Sequence, residues 1–235
     1  GSLKYDAAQL DERSTLDVPQ LLQQLGVDMG RPILLGGSTH AGEEAALAEQ
    51  FLKLRQRFPE LFLILVPRHF ERGREVGEEL ARRGLRFVYR SEVTSRAVYA
   101  PGQVDCLVVN TTGELRQFYP HATVVFIGKS LTAQGGQNPL EPAAAGKPVV
   151  FGPHMENFAE IARRLVEAGA ALQVHTAAEL ESALARLLHD AALRQAMGQK
   201  AREVVRENLG AVDHTVEMVL EELERRRPDV RIVRS

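Results

Sequence analysis

The run Gly135-Gly136-Gln137-Asn138-Pro139-Leu140-Glu141 carries the densest chemistry of the chain. Paired glycines let backbone approach a ligand closely. Pro139 suits the first position of a helix, Asn138 its N-cap and Glu141 the third helical position. Gly146 would stop that helix, and Val149-Val150-Phe151 reads as the next buried strand. Such a turn aims backbone N–H groups, an amide and a carboxylate into one crevice, chemistry for holding a phosphate and a sugar hydroxyl together. Capping alone would explain Asn138 and Glu141. It needs neither the glycine pair nor the whole run to Pro153, so ligand binding is the stronger reading.

Three further loops carry groups of the same kind. Gly36-Gly37-Ser38-Thr39-His40-Ala41-Gly42 follows an apolar run and precedes a helix, so Ser38 and Thr39 sit either at a ligand or in an ordinary capped turn. Pro67-Arg68-His69 follows Leu61 to Val66. Arg68 at a strand's carboxyl end would clamp a phosphate or carbonyl, or stand as a surface arginine. His69 is either a general acid or base or a loop histidine in a hydrogen bond, the commoner case. Thr111-Thr112-Gly113-Glu114 matches the Thr-x-x-Glu capping box, and N–H groups at Thr112 and Gly113 would also suit an anion. The same box at Thr176 to Glu179 lies outside any glycine loop, so the box by itself says little about function. Gly128-Lys129-Ser130 precedes the opening run, and Lys129 there either pairs with phosphate or faces solvent.

These loops need a scaffold that presents them together. Short apolar runs alternate with helical patterns. The strands read as Ile33 to Leu35, Leu61 to Val66, Arg86 to Tyr89, Val104 to Val109, Thr123 to Ile127, Val149 to Phe151 and Ala171 to Val174. The helices read as Glu43 to Arg57, Glu71 to Arg83, Ala178 to His189, Ala191 to Asn208, and a last one from beyond Gly210 to near Arg227. This order predicts an α/β fold, a doubly wound, Rossmann-like parallel sheet with helices on both faces. In such sheets ligands bind beyond the carboxyl ends of the strands, where all four loops fall. Residues 1–30 read as a polar lead-in with a short helix near Gln20 to Leu25. Residues 31–235 read as one nucleotide-sugar binding domain with C-terminal helices.

Composition narrows the class. The 235 residues hold 29 Lys and Arg against 31 Asp and Glu, which gives no field for nucleic acid or an anionic surface. Cys106 is the sole cysteine and lies in an apolar run, so it reads as a core thiol. Neither a metal-ligand cluster nor an Asp-x-Asp pair occurs, and no cofactor is expected. The sequence also holds neither a bilayer-length apolar run nor a signal peptide.

These residues carry a family resemblance as an ordered set. Lys4 near the start, Ser38-Thr39-His40, Pro67-Arg68-His69, Thr112-Gly113-Glu114-Leu115, the run Gly135 to Pro142 and Phe151-Gly152-Pro153-His154 together resemble the C-terminal half of 3-deoxy-D-manno-octulosonic acid (Kdo) transferase. The likeness runs from Gly1 to at least Phe158. It departs at Gln137, where many members carry histidine, and at Lys129, where they carry glycine.

The resemblance implies the C-terminal domain of a GT-B fold. It implies CMP-Kdo as donor and a lipid A precursor as acceptor, in lipopolysaccharide biosynthesis at the cytoplasmic face of the bacterial inner membrane. It further implies an inverting, metal-independent transfer. Pro67, Arg68, Thr112, Gly113, Glu114, Asn138, Pro139, Leu140 and Glu141 would hold CMP. Lys4 would stabilise charge in the transition state, and Ser38, Thr39, His69, Ser130, Gly135 and Gly136 are additional candidates. The family's N-terminal half carries the acceptor site, a membrane-associated segment and the glutamate base. The chain is expected to lack these, to stay soluble and to be inactive in transfer alone. A non-catalytic nucleotide-binding module and a GT-B-like nucleotide-sugar epimerase fragment remain the alternatives.

Overall fold

The computed structural model describes residues 16–28 and 30–226, with side chains as far as residue 208. The described residues form one seven-stranded sheet in the order β3-β4-β2-β1-β5-β6-β7, with every pairing parallel. The strands are β1 (Ile33–Thr39), β2 (Phe62–Pro67), β3 (Phe87–Tyr89), β4 (Cys106–Val108), β5 (Val124–Ile127), β6 (Val149–Phe151) and β7 (Ala171–Gln173). The helices are α1 (Val18–Gln24), α2 (Glu43–Arg55), α3 (Gly73–Arg82), α4 (Leu115–Phe118), α5 (Leu140–Ala144), α6 (Ala159–Glu167), α7 (Ala177–His189) and α8 (Ala191–Arg226). From β1 the chain passes through β2 to the edge strand β3, returns to place β4 between β3 and β2, then crosses to β5 and builds outward through β6 and β7 on the other side. The order of connection therefore reverses between β1 and β5, the switch point at which such sheets bind ligands.

Alternation along the strands explains why helices cover both faces. Leu35, Ile64, Leu107, Val125 and Phe151 point to one face, where α1, α5, α6 and α8 contribute Leu22, Leu140, Leu165 and Val204. Leu34, Leu63, Val108, Phe126 and Val150 point to the other, against Phe51 of α2, Leu80 of α3 and Leu184 of α7. Cys106 is buried in this second core, and burial pushes its thiol well above the usual range.

Several elements differ from the expected ones. Residues 16–28 of the expected lead-in are not a bare tether. Val18, Leu21, Leu22, Leu25 and Val27 are buried, and Asp17 caps α1 through the Gln20 N–H at 2.9 Å. Gly36 and Gly37 lie inside β1 and not in its following loop. A Cβ on Gly36 would meet Leu47 Cδ1 at 2.7 Å, so the glycine admits α2 to the sheet. The charged segment after β2 starts as a 3₁₀ turn, Phe70–Arg72, and α3 follows from Gly73. The last two helices are one: Gly210 does not interrupt α8. One glycine costs about 1 kcal/mol in a helix, too little to end one this long.

Candidate functional site

The four expected loops leave the carboxyl ends of β4, β2, β1 and β5, which are four consecutive strands. At about 4.8 Å per strand they share one edge of the sheet. The loop after β2 is tied to the loop after β1, because the Arg68 N–H donates to Thr39 O at 2.9 Å. His69 stands edge-to-face with His40, their ring centroids 6.0 Å apart. Glu44 of α2 is buried and takes Arg72 Nη1 at 2.8 Å, which anchors the turn that follows Arg68 and His69. Arg68 and His69 themselves stay exposed.

The loops after β1, β5 and β6 are packed backbone against backbone. A Cβ on Gly128 would lie 2.3 Å from Ser38 O, and one on Gly152 would lie 2.1 Å from Ser130 O. Only glycine permits either approach. Ser38 and Lys129 adopt left-handed backbone conformations at φ 52° and 55°, a sign of locally stored strain for residues with side chains. The two positions flank the switch point.

Glu43 fixes this arrangement. It is the first residue of α2, 0% exposed, and accepts four backbone N–H donors. His40 N and Lys129 N donate to Oε2 at 2.9 and 2.8 Å, and Ser130 N and Leu131 N donate to Oε1, each at 2.9 Å. The three consecutive donors Lys129 to Leu131 form a nest of the kind that holds anions elsewhere, and here a side chain of the same chain fills it. Ser130 extends the network. Its hydroxyl donates to Ile127 O at 2.5 Å and accepts the Gly152 N–H at 2.9 Å.

This geometry sorts the expected site residues. Thr39 and Ser130 are buried and turned inward, so their side chains support the loops and do not reach a ligand. Gly135 and Gly136 are also buried, with their N–H groups engaged by Glu156 Oε2 at 2.6 Å and Lys129 O at 2.8 Å. The expectation that this glycine pair aims N–H groups at a ligand is therefore corrected: the glycines fold the loop against Met155 and Asn157. Pro67, Pro139 and Leu140 are buried packing residues. Arg68, His69, Thr112 and Gly113 are exposed, and Ser38, Glu114, Asn138 and Glu141 are partly so. Lys4 lies outside the described residues.

Helix α5 starts one residue later than expected. Pro139 takes the N-cap position, and Asn138 Oδ1 still accepts the Leu140 N–H at 3.1 Å. Glu141 does not close a capping box. It pairs with Arg116 Nη2 of α4 at 3.1 Å. Its charge also adds to burial in pushing the Tyr119 phenol well above the usual range. Nor do Thr111 and Glu114 cap a helix, since α4 begins beyond them at Leu115. The Thr111 hydroxyl donates to Glu114 Oε2, and Arg90 Nη2 donates to Oε1 at 3.2 Å. Thr176 does cap α7, through the Glu179 N–H at 3.1 Å. A cavity of about 290 Å³ opens beside Arg90 and Glu114, lined also by Gln20, Gln24 and Thr94. Arg68 and Glu141 are not among its lining residues.

Sequence reasoning gave no role to Glu43, His40, Arg90 or Arg116. Glu43 was legible only as an acid at a helix start. His40 Nδ1 donates to Ser38 O at 3.2 Å, since a carbonyl can only accept, which leaves Nε2 as an acceptor. Burial lowers the His40 pKa, and Lys129 and His69 lower it further against the pull of Ser38 O and Glu43. The edge thus combines the cationic Arg68 and Lys129, a histidine held toward its neutral form, and the Glu141 carboxylate. That set can grip a phosphate and accept from hydroxyls.

Residues 96–204 match the family model "Glycosyl transferases group 1". The 3-deoxy-D-manno-octulosonic acid transferase of Haemophilus influenzae is 36% identical over 228 residues, 96% of this chain and 51% of that protein. The same enzyme of Bordetella pertussis is 35% identical over 225 residues, 92% of this chain and 50% of that protein. The chain is a homologue of the Kdo transferases. It spans about half the length of the curated relatives it matches. Among solved structures, the C-terminal CMP-Kdo binding domain of WaaA from Acinetobacter baumannii superposes with a TM-score of 0.71 at 27% identity, covering 86% of this chain and 97% of that one. The Rossmann-like fold is therefore that of the C-terminal domain of GT-B glycosyltransferases.

Proposed function

We propose that this chain is the donor-nucleotide-binding half of a glycosyltransferase that transfers Kdo from CMP-Kdo to a lipid A precursor in lipopolysaccharide biosynthesis. The likeness to the Acinetobacter domain, which covers nearly all of that CMP-Kdo binding unit, carries this reading. The accessible groups along the four strand ends support it.

In this account Arg68 offsets the charge of the leaving CMP phosphate. Thr112, Gly113 and Glu114 close over the nucleotide from the β4 side, and Asn138 and Glu141 hold the ribose diol from the β5 side. Glu141, oriented by Arg116, accepts from two neighbouring hydroxyls as a carboxylate can. Pro139 and Leu140 act through packing beneath it. Lys4 keeps its proposed part in stabilising the transition state. The transfer inverts the anomeric centre without a metal, and the base that deprotonates the acceptor belongs to the part of the family that this chain does not align with. Among the described residues no helix is long and apolar enough to cross a membrane. The reaction is assigned to the cytoplasmic face of the inner membrane, with the chain meeting lipid A precursor only through an acceptor domain.

Calorimetric titration with CMP tests the site. Wild-type chain is expected to bind, and Arg68→Ala and Glu141→Ala each to lose roughly 1.5–3 kcal/mol, the worth of a charged hydrogen bond. Unchanged affinity in both variants would place the nucleotide elsewhere.

A further inference from the structure

At the opposite, amino-terminal edge of the sheet, a cavity of about 450 Å³ opens between the end of α1, the turns ahead of β5 and β6, and the start of α8. Its size falls in the range of small-molecule sites. Ile33, Thr123 and Pro148 line it at the amino ends of β1, β5 and β6. The seven residues of β1 separate it from the candidate nucleotide site by about 20 Å.

Its charged lining is nearly of one sign. The cations Arg31, Lys147 and Arg194 face Asp28 as the one carboxylate among the described lining residues, and His121 lines the cavity beside them. Two of these cations are already fixed. Arg31 donates to Glu60 O at 2.5 Å and to Gly26 O at 3.2 Å. Arg194 donates to Leu187 O at 2.6 Å and Leu188 O at 2.9 Å, closing the carboxyl end of α7.

Lys147 is different. It follows Gly146 in the turn from α5 to β6 and is partly buried, and its ammonium has no hydrogen-bond or ion-pair partner among the described residues. The one charged group that bears on it, Arg202, is itself a cation. Arg202 lies against Gly146 and donates to Ala145 O at 3.1 Å. Burial, followed by Arg202, lowers the Lys147 pKa. Burial, followed by Lys147, lowers that of His121 against the pull of Asp17. Ala191, the first residue of α8, also lines the cavity, and the Asp190 carboxylate already caps that helix end through the Leu193 N–H at 2.8 Å. A partly buried, unpaired ammonium beside another cation is unfavourable by itself, and a bound anion relieves that cost.

We propose that this cavity is a second anion site, which takes a phosphate group carried by a small soluble molecule or a lipid headgroup and grips it through Lys147. It is independent of the nucleotide assignment.

The test is a calorimetric titration of pyrophosphate into the full chain saturated with CMP, at fixed ionic strength. Single-site binding is expected, weakened at least tenfold by Lys147→Gln and retained by Lys147→Arg. CMP affinity stays unchanged, and the thermal midpoint without anion does not fall. Lys53→Gln, which removes an exposed lysine paired with Glu181 at 3.1 Å, is without effect. Sedimentation with phosphatidylglycerol and phosphatidylcholine vesicles separates the two sources. Lys147-dependent binding to the anionic vesicles alone assigns a headgroup, and Lys147-dependent pyrophosphate binding alone assigns a soluble phosphate. Pyrophosphate binding that Lys147→Gln leaves intact, binding seen only without CMP, or none in either arm would overturn the proposal. Should CMP itself fail to bind, the dependence on Lys147 still decides the matter.

Discussion

The loops after β5 and β2 stand two strands apart on the same edge, yet they are held in different ways. The β5 loop is closed from within. Glu43 takes the N–H groups of Lys129, Ser130 and Leu131, and Gly128 lies in van der Waals contact with the Ser38 backbone. The β2 loop is held at its base by one backbone bond to Thr39 and farther on by the Arg72–Glu44 pair, while Arg68 and His69 extend outward. One loop is rigid because its polar groups are satisfied internally. The other leaves its polar groups outside. A site of this kind needs both, since a fixed wall lowers the cost of ordering and exposed groups supply the attraction.

The difference predicts a graded series of effects. Glu43→Ala should be the most damaging change, because it strands four backbone donors, three of them on the β5 loop. A loss of about 4 kcal/mol is expected in urea denaturation, with Glu43→Gln retaining part of it. A near-neutral result would mean that the β5 loop holds itself. Arg72→Ala leaves the buried Glu44 carboxylate without its 2.8 Å partner and should cost about 3 kcal/mol, in the range for a broken buried pair. It should also weaken CMP binding by loosening the Arg68 turn, an effect read by calorimetry on the folded fraction.

A pH series probes the amino edge for contrast. Burial pushes the Asp105 carboxyl upward, but hydrogen bonds from the Arg86 side chain and backbone, with the charges of Arg55 and Arg86, bring it below the usual range. A depressed folded pKa adds stability that is fully present above the unfolded value near 4 and is lost as pH falls through the folded value. The urea midpoint should therefore drop as pH falls below about 5, and Asp105→Asn should flatten part of that drop. An unaltered pH slope in the variant would remove Asp105 as its source. The smallest stability effect belongs to Arg68→Ala, expected within about 0.5 kcal/mol of wild type as for other surface changes. A measurable loss of stability there would erase the distinction between the two loops.

The scaffold was largely legible in the sequence because strands covered on both faces read as plain apolar runs. Val149–Phe151 matched to the residue, and the other six strands were displaced at most by a few positions at their ends. Helices α4 and α6 went unread. The first is a single turn, and the second follows a 3₁₀ turn without a side-chain N-cap bond. At the site, the loops were legible but the direction of their groups was not. Glycines near a strand end serve equally for close packing or for ligand approach, and Gly36, Gly128, Gly135 and Gly152 all proved to be packing positions. Thr111 and Glu114 had capping spacing, yet the helix started later and the pair bonded side chain to side chain. Glu43 shows the limit most clearly. Three of its four partners lie 86 to 88 residues away, and no local pattern carries that information.

The most direct test of the account is amide chemical-shift mapping of CMP titrated into the isotope-labelled chain. Perturbations confined to the loops after β4, β2, β1 and β5, with the largest near Arg68, Gly113 and Glu141, are the predicted result. Shifts gathered instead around Lys147 at the amino edge, or none at millimolar CMP, would contradict a single nucleotide site built from four adjacent strand ends.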